Sequence, residues 1–72
     1  MIRFLELQPC SKEGKPIGEL SYVRSDMIVG VRKVTESEEV TFIRTHYNGT
    51  HYVLYRPYEL VSLLESLANA DS

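Results

Sequence analysis

The feature that most constrains this chain is an Asn-Gly pair, Asn48-Gly49, set between two β-prone runs, VTFIRTHY (40–47) and THYVLY (50–55). Asn and Gly tolerate positive φ, which a two-residue type I′ turn needs at both central positions, so the pair predicts a β-hairpin. With Asn48 and Gly49 as the turn, Tyr47 faces Thr50, His46 faces His51 and Thr45 faces Tyr52. The ladder then continues through Arg44 with Val53, Ile43 with Leu54 and Phe42 with Tyr55. The tripeptide Thr-His-Tyr occurs on both sides of the turn, but antiparallel strands meet it in opposite directions. It belongs to a hairpin, not to a structural repeat.

After the hairpin, Pro57 suits the first position of a helix, and Glu59 sits near that helix's positive end. Leu60, Leu63, Leu64 and Leu67 recur at spacings of three and four, with Val61 and Ala68 widening the apolar stripe and Ser62, Glu65, Ser66 and Asn69 on the wetter side. The last residues, ANADS, fray. Before the hairpin, residues 1–8 alternate as a first strand ended by Pro9, and 10–16 (CSKEGKP) have loop composition. IGELSYVR (17–24) is a second strand weakened by Gly18, and Arg24-Ser25-Asp26 a tight turn. MIVGVRKV (27–34) is a third strand with a bulge or close approach at Gly30, and TESEE the next turn. The expected fold is α+β: one domain over 1–72, with a small antiparallel sheet of four to five strands, strongly twisted or partly closed, and one C-terminal helix.

Seventy-two residues bury a thin core, which small domains supplement with disulfides, metals or oligomerisation. Cys10 is the only cysteine, so an intrachain disulfide is excluded; it is expected as a free surface thiol in a loop. No run approaches the length of a membrane span, and the start of the chain lacks an apolar signal region. The expected location is cytoplasmic. Eight Lys+Arg against ten Asp+Glu leave a net charge of −2, which argues against nonspecific duplex binding. Glu36, Glu38 and Glu39 read as a solvated turn, without the spacing of a calcium loop.

One helix covers one sheet face, so the other face must meet water or another subunit. In the type I′ register, Ile43, Leu54, Thr45 and Tyr52 lie under the helix. Phe42, Arg44, His46, His51, Val53 and Tyr55 share the opposite face, whose aromatic bodies and polar tips suit an interface. These six residues are the expected site of self-association. The bland alternative is that they are ordinary cross-strand pairs, each contributing about 0.2–1 kcal/mol. The His46–His51 pair is too poor in ligands for a zinc site, which needs three or four; two imidazoles charged together would instead make a pH-sensitive contact.

No nucleophile elbow, phosphate-cradling loop or dinucleotide fingerprint occurs, and nothing around Cys10 points to a low thiol pKa. Neither an enzyme nor a cofactor is expected. Nucleic acid is the competing partner: Arg32, Lys33, Arg44 and Arg56 with Tyr47, Tyr52, Tyr55 and Tyr58 could form a stacking platform with positive edges.

The stretches SYVRSDMIVGVRKV and VTFIRTHYNGTHYVLYRPYELVSLLESL resemble the short flagellar and swarming-motility FlbD-like family and similar small phage modules. The likeness lies in the turn at Arg24 to Ile28, the Asn48-Gly49 hairpin and the helix from Pro57 to Leu67. The chain departs from that pattern in its longer Pro9–Pro16 loop, in Arg24-Ser25 at the turn and in Arg56. The resemblance implies a β-rich module with one helix that acts through protein contacts, in some phage relatives as ring-like oligomers. It carries no catalytic residues. The function expected is that of a noncatalytic, homo-oligomeric phage or bacterial accessory protein that also binds another protein.

Overall fold

The computed structural model describes residues 3–47 and 49–70. Their order is β1 (Phe4–Leu7), β2 (Ser21–Arg24), a 3-10 turn (Ser25–Met27), β3 (Ile28–Lys33), β4 (Val40–Thr45), β5 (Gly49–Leu54) and α1 (Pro57–Asn69). The fold is α+β as expected, with five antiparallel strands in two sheets, β1-β2 and β3-β4-β5. The tight turn after Arg24 and the irregularity beside Gly30 fall where the sequence places them; the latter is a register shift between Ile28 and Gly30. The predicted second strand is shorter: Ile17 N–H bonds the Pro9 carbonyl (2.8 Å), but residues 18–20 lie outside the ladder and Gly18 takes a φ of +70°. Met1, Ile2, Asn48 and the final Asp71-Ser72 of the predicted strand, turn and frayed end lie outside the described residues.

The sheets are joined by one stretch of chain. Beyond β1, Cys10 N–H donates to the Tyr52 carbonyl (3.0 Å) and Leu54 N–H to the Gln8 carbonyl (2.9 Å). The strand that begins beside β2 thus ends beside β5. The main core fills the angle between the sheets: Leu5 and Leu7 from β1, Ile43 and Val53 from the hairpin, and Leu60 and Leu67 from the helix. Leu63 and Leu64 pack at its margin. Val61 and Ala68, expected to widen the stripe, are exposed instead, so the helix buries a narrow seam.

The hairpin register differs from the type I′ expectation. Val40 faces Leu54, Thr41 faces Val53, Phe42 faces Tyr52, Ile43 faces His51, Arg44 faces Thr50 and Thr45 faces Gly49. His46 and Tyr47 are therefore loop residues, and Gly49, at φ +74°, closes a longer turn. Relative to β4, β5 has moved by three positions. An odd shift exchanges the two faces of a strand, because side chains alternate with period two. Packing decides the outcome: this register leaves Ile43 and Val53 only 1% and 3% accessible on one face and Val40 0% on the other. It also satisfies two buried hydroxyls, since Thr41 Oγ1 donates to the Tyr55 carbonyl and Thr45 Oγ1 to the Gly49 carbonyl (3.2 Å). A buried hydroxyl without a partner costs roughly 1–3 kcal/mol, so each donor favours this register.

The second hairpin face is not left open throughout, contrary to the one-helix argument. Residues 10–16 fold back as a flap, with Ser11 N–H bonded to the Lys15 carbonyl (2.9 Å) and Gly14 N–H to the Ser11 carbonyl (3.0 Å). Gly14, at φ +93°, lies over Val40 and Leu54; a Cβ there would stand 3.6 Å from Val40 Cγ2. Cys10, Val34 and Val40 form a second small core beneath it, with Phe42, Tyr52 and Leu54 at its rim. Cys10 is thus a buried thiol, not a surface one.

Leu60 is the deepest helical anchor, with no accessible surface. Leu60→Ala should cost about 2–5 kcal/mol in urea denaturation, the usual range for a core leucine. Val61→Ala, one position away on the exposed side, should change stability by less than about 1 kcal/mol.

Candidate interaction surfaces

The six residues expected to form one face are divided by the observed register. Phe42 and Arg44 remain together on the flap side of the hairpin. Val53 is buried in the main core, and Tyr55 packs against that core. His51 is exposed and shares the core side with Ile43, and His46 sits in the loop. The two histidines are not a cross-strand pair, since His51 lies opposite Ile43. Among the described residues, no three His, Cys, Asp or Glu side chains converge as metal ligands.

Two surfaces replace the expected one. The first lies on the outward side of β1-β2. The register sets Phe4 beside Arg24 and Glu6 beside Tyr22, with alternation turning Leu5 and Leu7 inward. Phe4 and Tyr22 are each 63% accessible, and Tyr47 at the hairpin tip is 83% accessible. These three aromatic residues border one cleft of ≈ 210 Å³, floored by Val23, Met27 and Thr45. Tyr22 also borders a neighbouring hollow of ≈ 340 Å³ that reaches His51 between the two sheets. Exposed aromatic groups gathered in this way mark interaction surfaces more often than scattered ones do.

The outer edge of β2 adjoins this patch. Ser25 N–H donates to the Arg3 carbonyl (2.8 Å), so alternation directs the backbone groups of Val23 and Ser21 toward β1. The N–H and carbonyl of Tyr22 and the N–H of Arg24 point the other way, where no strand pairs with them among the described residues, while the Arg24 carbonyl accepts the first bond of the 3-10 turn. Arg24 is held by a two-point bond to Asp26 (2.9 and 3.1 Å) and has φ −66°.

The second surface is the uncovered part of the flap-side face. Across β3, β4 and β5 it carries the row Arg32–Phe42–Tyr52 and beside it the row Gly30–Arg44–Thr50. A hollow of ≈ 260 Å³ lies on its β3–β4 side, bordered by both arginines and Phe42. Of the residues in the predicted stacking platform, Arg32, Arg44 and Tyr52 meet here. Lys33 falls in the opposite register, Arg56 pairs with Glu39 (3.7 Å) at the start of the helix, and Tyr47, Tyr55 and Tyr58 lie elsewhere. Phe42, which that platform omitted, supplies the second ring.

No family model, curated protein or solved structure matches this chain. Among the described residues, no helix is long and apolar enough to cross a membrane.

Burial raises the Cys10 thiol pKa above its ordinary value. The unfolded chain then releases this proton first, so Cys10 stabilises the fold fully below the ordinary thiol range and progressively less as pH rises through it. Thiol reagents should modify Cys10 slowly in the native protein and rapidly in denaturant, and thermal stability should decline above about pH 8.5. Prompt native labelling at neutral pH would contradict the buried placement.

Proposed function

We propose that this protein is a small noncatalytic module that self-associates through the β2 edge and the aromatic patch beside it, and so presents a multivalent body to a protein partner. The carrying observation is the coincidence of an unpaired strand edge with three largely exposed aromatic side chains at one cleft. A free edge is a template for another strand, and its own copy related by a two-fold axis complements it geometrically.

In such a pair β2 runs antiparallel to its counterpart. Setting Tyr22 opposite the second copy's Arg24, and the reverse, keeps both outward faces on the same side. It lets each Arg24 N–H donate to the second copy's Tyr22 carbonyl and brings each guanidinium against a phenol ring, a contact worth roughly 0.5–1 kcal/mol at an exposed site. The two-stranded β1-β2 sheet becomes four-stranded, which addresses the limited stability of an isolated pair. A standard interface covers about 800 Å² per partner. The chain exposes 5090 Å² in all, enough for that interface and for a second partner.

The likeness to FlbD-like and small phage modules supports the same assignment, to a bacterial or phage accessory protein acting through contacts. The second copy seats on β1-β2 in this reading, and not on the hairpin face first expected, because the flap shields much of that face.

The decisive variant is Arg24→Pro. A φ of −66° already suits proline, and the N–H that is lost points away from β1, so the fold is retained while the edge loses a donor. Light scattering should give an even multiple of the 8.3 kDa chain mass for the native protein. Arg24→Pro and Tyr22→Glu should both give the single-chain mass with unchanged helical circular dichroism. A native protein that stays monomeric at high concentration would overturn the proposal.

A further inference from the structure

From the open rows of the flap-side face we infer a second binding surface, one that takes single-stranded nucleic acid: Phe42 and Tyr52 stack on bases while Arg32 and Arg44 hold the adjoining phosphates. The inference does not rest on self-association, since β2 contributes nothing to this face.

Three observations converge on it. First, Phe42 and Tyr52 are direct cross-strand neighbours, with ring centroids 4.8 Å apart and planes tilted by 51°. Each is half-buried, anchored on one side by the small core under the flap and accessible on the other. Rings supported from behind on a sheet are the usual stacking platform for unpaired bases, and each stacked base is worth roughly 1–3 kcal/mol.

Second, the charge on this face is one-signed although the chain's is not. The net charge is −2, yet neither the Arg32–Phe42–Tyr52 row nor the Gly30–Arg44–Thr50 row contains a carboxylate. Both guanidiniums are exposed, and among the described residues neither has a hydrogen bond or ion pair. Two of the other three arginines differ, Arg24 being held by Asp26 and Arg56 paired with Glu39. Two unpaired guanidiniums on diagonal positions of adjacent strands suit an anion that bridges them, and Arg favours phosphate.

Third, the floor between them is low. Gly30 sits beside Arg44 in the ladder and has no positive φ to require glycine. Its missing side chain helps keep open the hollow of ≈ 260 Å³ that runs between Arg32, Phe42 and Arg44. Thr50, exposed and opposite Arg44, continues the row with a hydroxyl. Duplex DNA is a poorer fit: its bases are already stacked on each other and cannot use the two rings, and the overall negative charge opposes binding a rigid polyanion.

The test is fluorescence anisotropy with a labelled oligouridylate of about eight nucleotides, at low salt near 20 mM. Native protein should bind it. Two phosphate contacts give a salt slope of about −1.4, so affinity should fall roughly 25-fold for a tenfold rise in salt. Arg32→Glu and Arg44→Glu, both on exposed positions that the fold does not need, should each weaken binding at least ~10-fold, and Arg3→Glu should not. Tyr52→Leu, which keeps apolar volume but removes the ring, should weaken binding by a further ~5–100-fold. A duplex of the same length should bind much less well.

Five results would overturn the inference. The first three are no binding at low salt, binding indifferent to Arg32→Glu and Arg44→Glu, and equal binding of duplex with no effect of Tyr52→Leu. The fourth is displacement by uridine monophosphate at equimolar nucleotide, which would make the ligand a free nucleotide. Fifth, if Arg44→Glu instead changes the mass seen by light scattering, the face seats another copy of the chain and the nucleic-acid assignment falls.

Discussion

The arrangement of this molecule depends on which residues of β5 lie opposite which residues of β4. β4 is the central strand of its sheet and is buried on both sides at one end, where Val40 and Thr41 have no accessible surface. A strand so enclosed can accept only one alignment of its neighbour. The Thr41 hydroxyl reaches the Tyr55 carbonyl at one end of the ladder, and the Thr45 hydroxyl reaches the Gly49 carbonyl at the other. Apolar packing and hydroxyl satisfaction therefore select the same register. Sliding β5 by one residue would invert every side chain on it and move both carbonyl acceptors out of their present places.

Each face of the hairpin acquires its character from that choice. On one side Ile43 and Val53 meet the leucines of β1 and the helix, giving a core that holds the two sheets at an angle. On the other, the apolar end around Val40 and Leu54 is roofed by the flap at Gly14, and the polar end around Arg44 and Thr50 is not. The flap divides that face into a structural half and an accessible half. Exposed aromatic residues gather in a different place, on the outward side of β1-β2, where short strands leave an edge that no strand pairs with among the described residues. A chain of this size thus keeps two distinct surfaces, one aromatic with a strand edge and one aromatic with arginines.

The order of elements was legible because the signals for it are local. Pro57 and the leucine spacing define the helix, Asp26 follows a strand at a tight turn, and Gly30 interrupts a β-branched run where the ladder is irregular. The register was not legible, because Asn-Gly describes a turn and says nothing of what β4 must bury. Gly49 does take the positive φ that the pair announces, but it serves as the end of a longer loop. One misjudged turn length was enough to merge residues that belong to opposite faces. It made Phe42 and Arg44 appear to share a surface with Val53, and paired His46 with His51. The flap escaped for a related reason: residues 10–16 have the composition of any loop, and only tertiary structure shows that they lie on Val40 and Leu54. Cys10 looked solvent-exposed on the same grounds.

The single stretch of chain shared by the two sheets has a consequence for how the domain forms. Gln8 and Cys10 bond to Leu54 and Tyr52, so the first strand reaches its second partner only after almost the whole polypeptide has emerged and closed on itself. Contacts so distant in sequence raise the entropic cost of the folding barrier, placing this domain among slow folders for its length despite a helix that forms in microseconds. The same stretch makes the native state cooperative: neither sheet can fray from the other without first breaking the strand they hold in common.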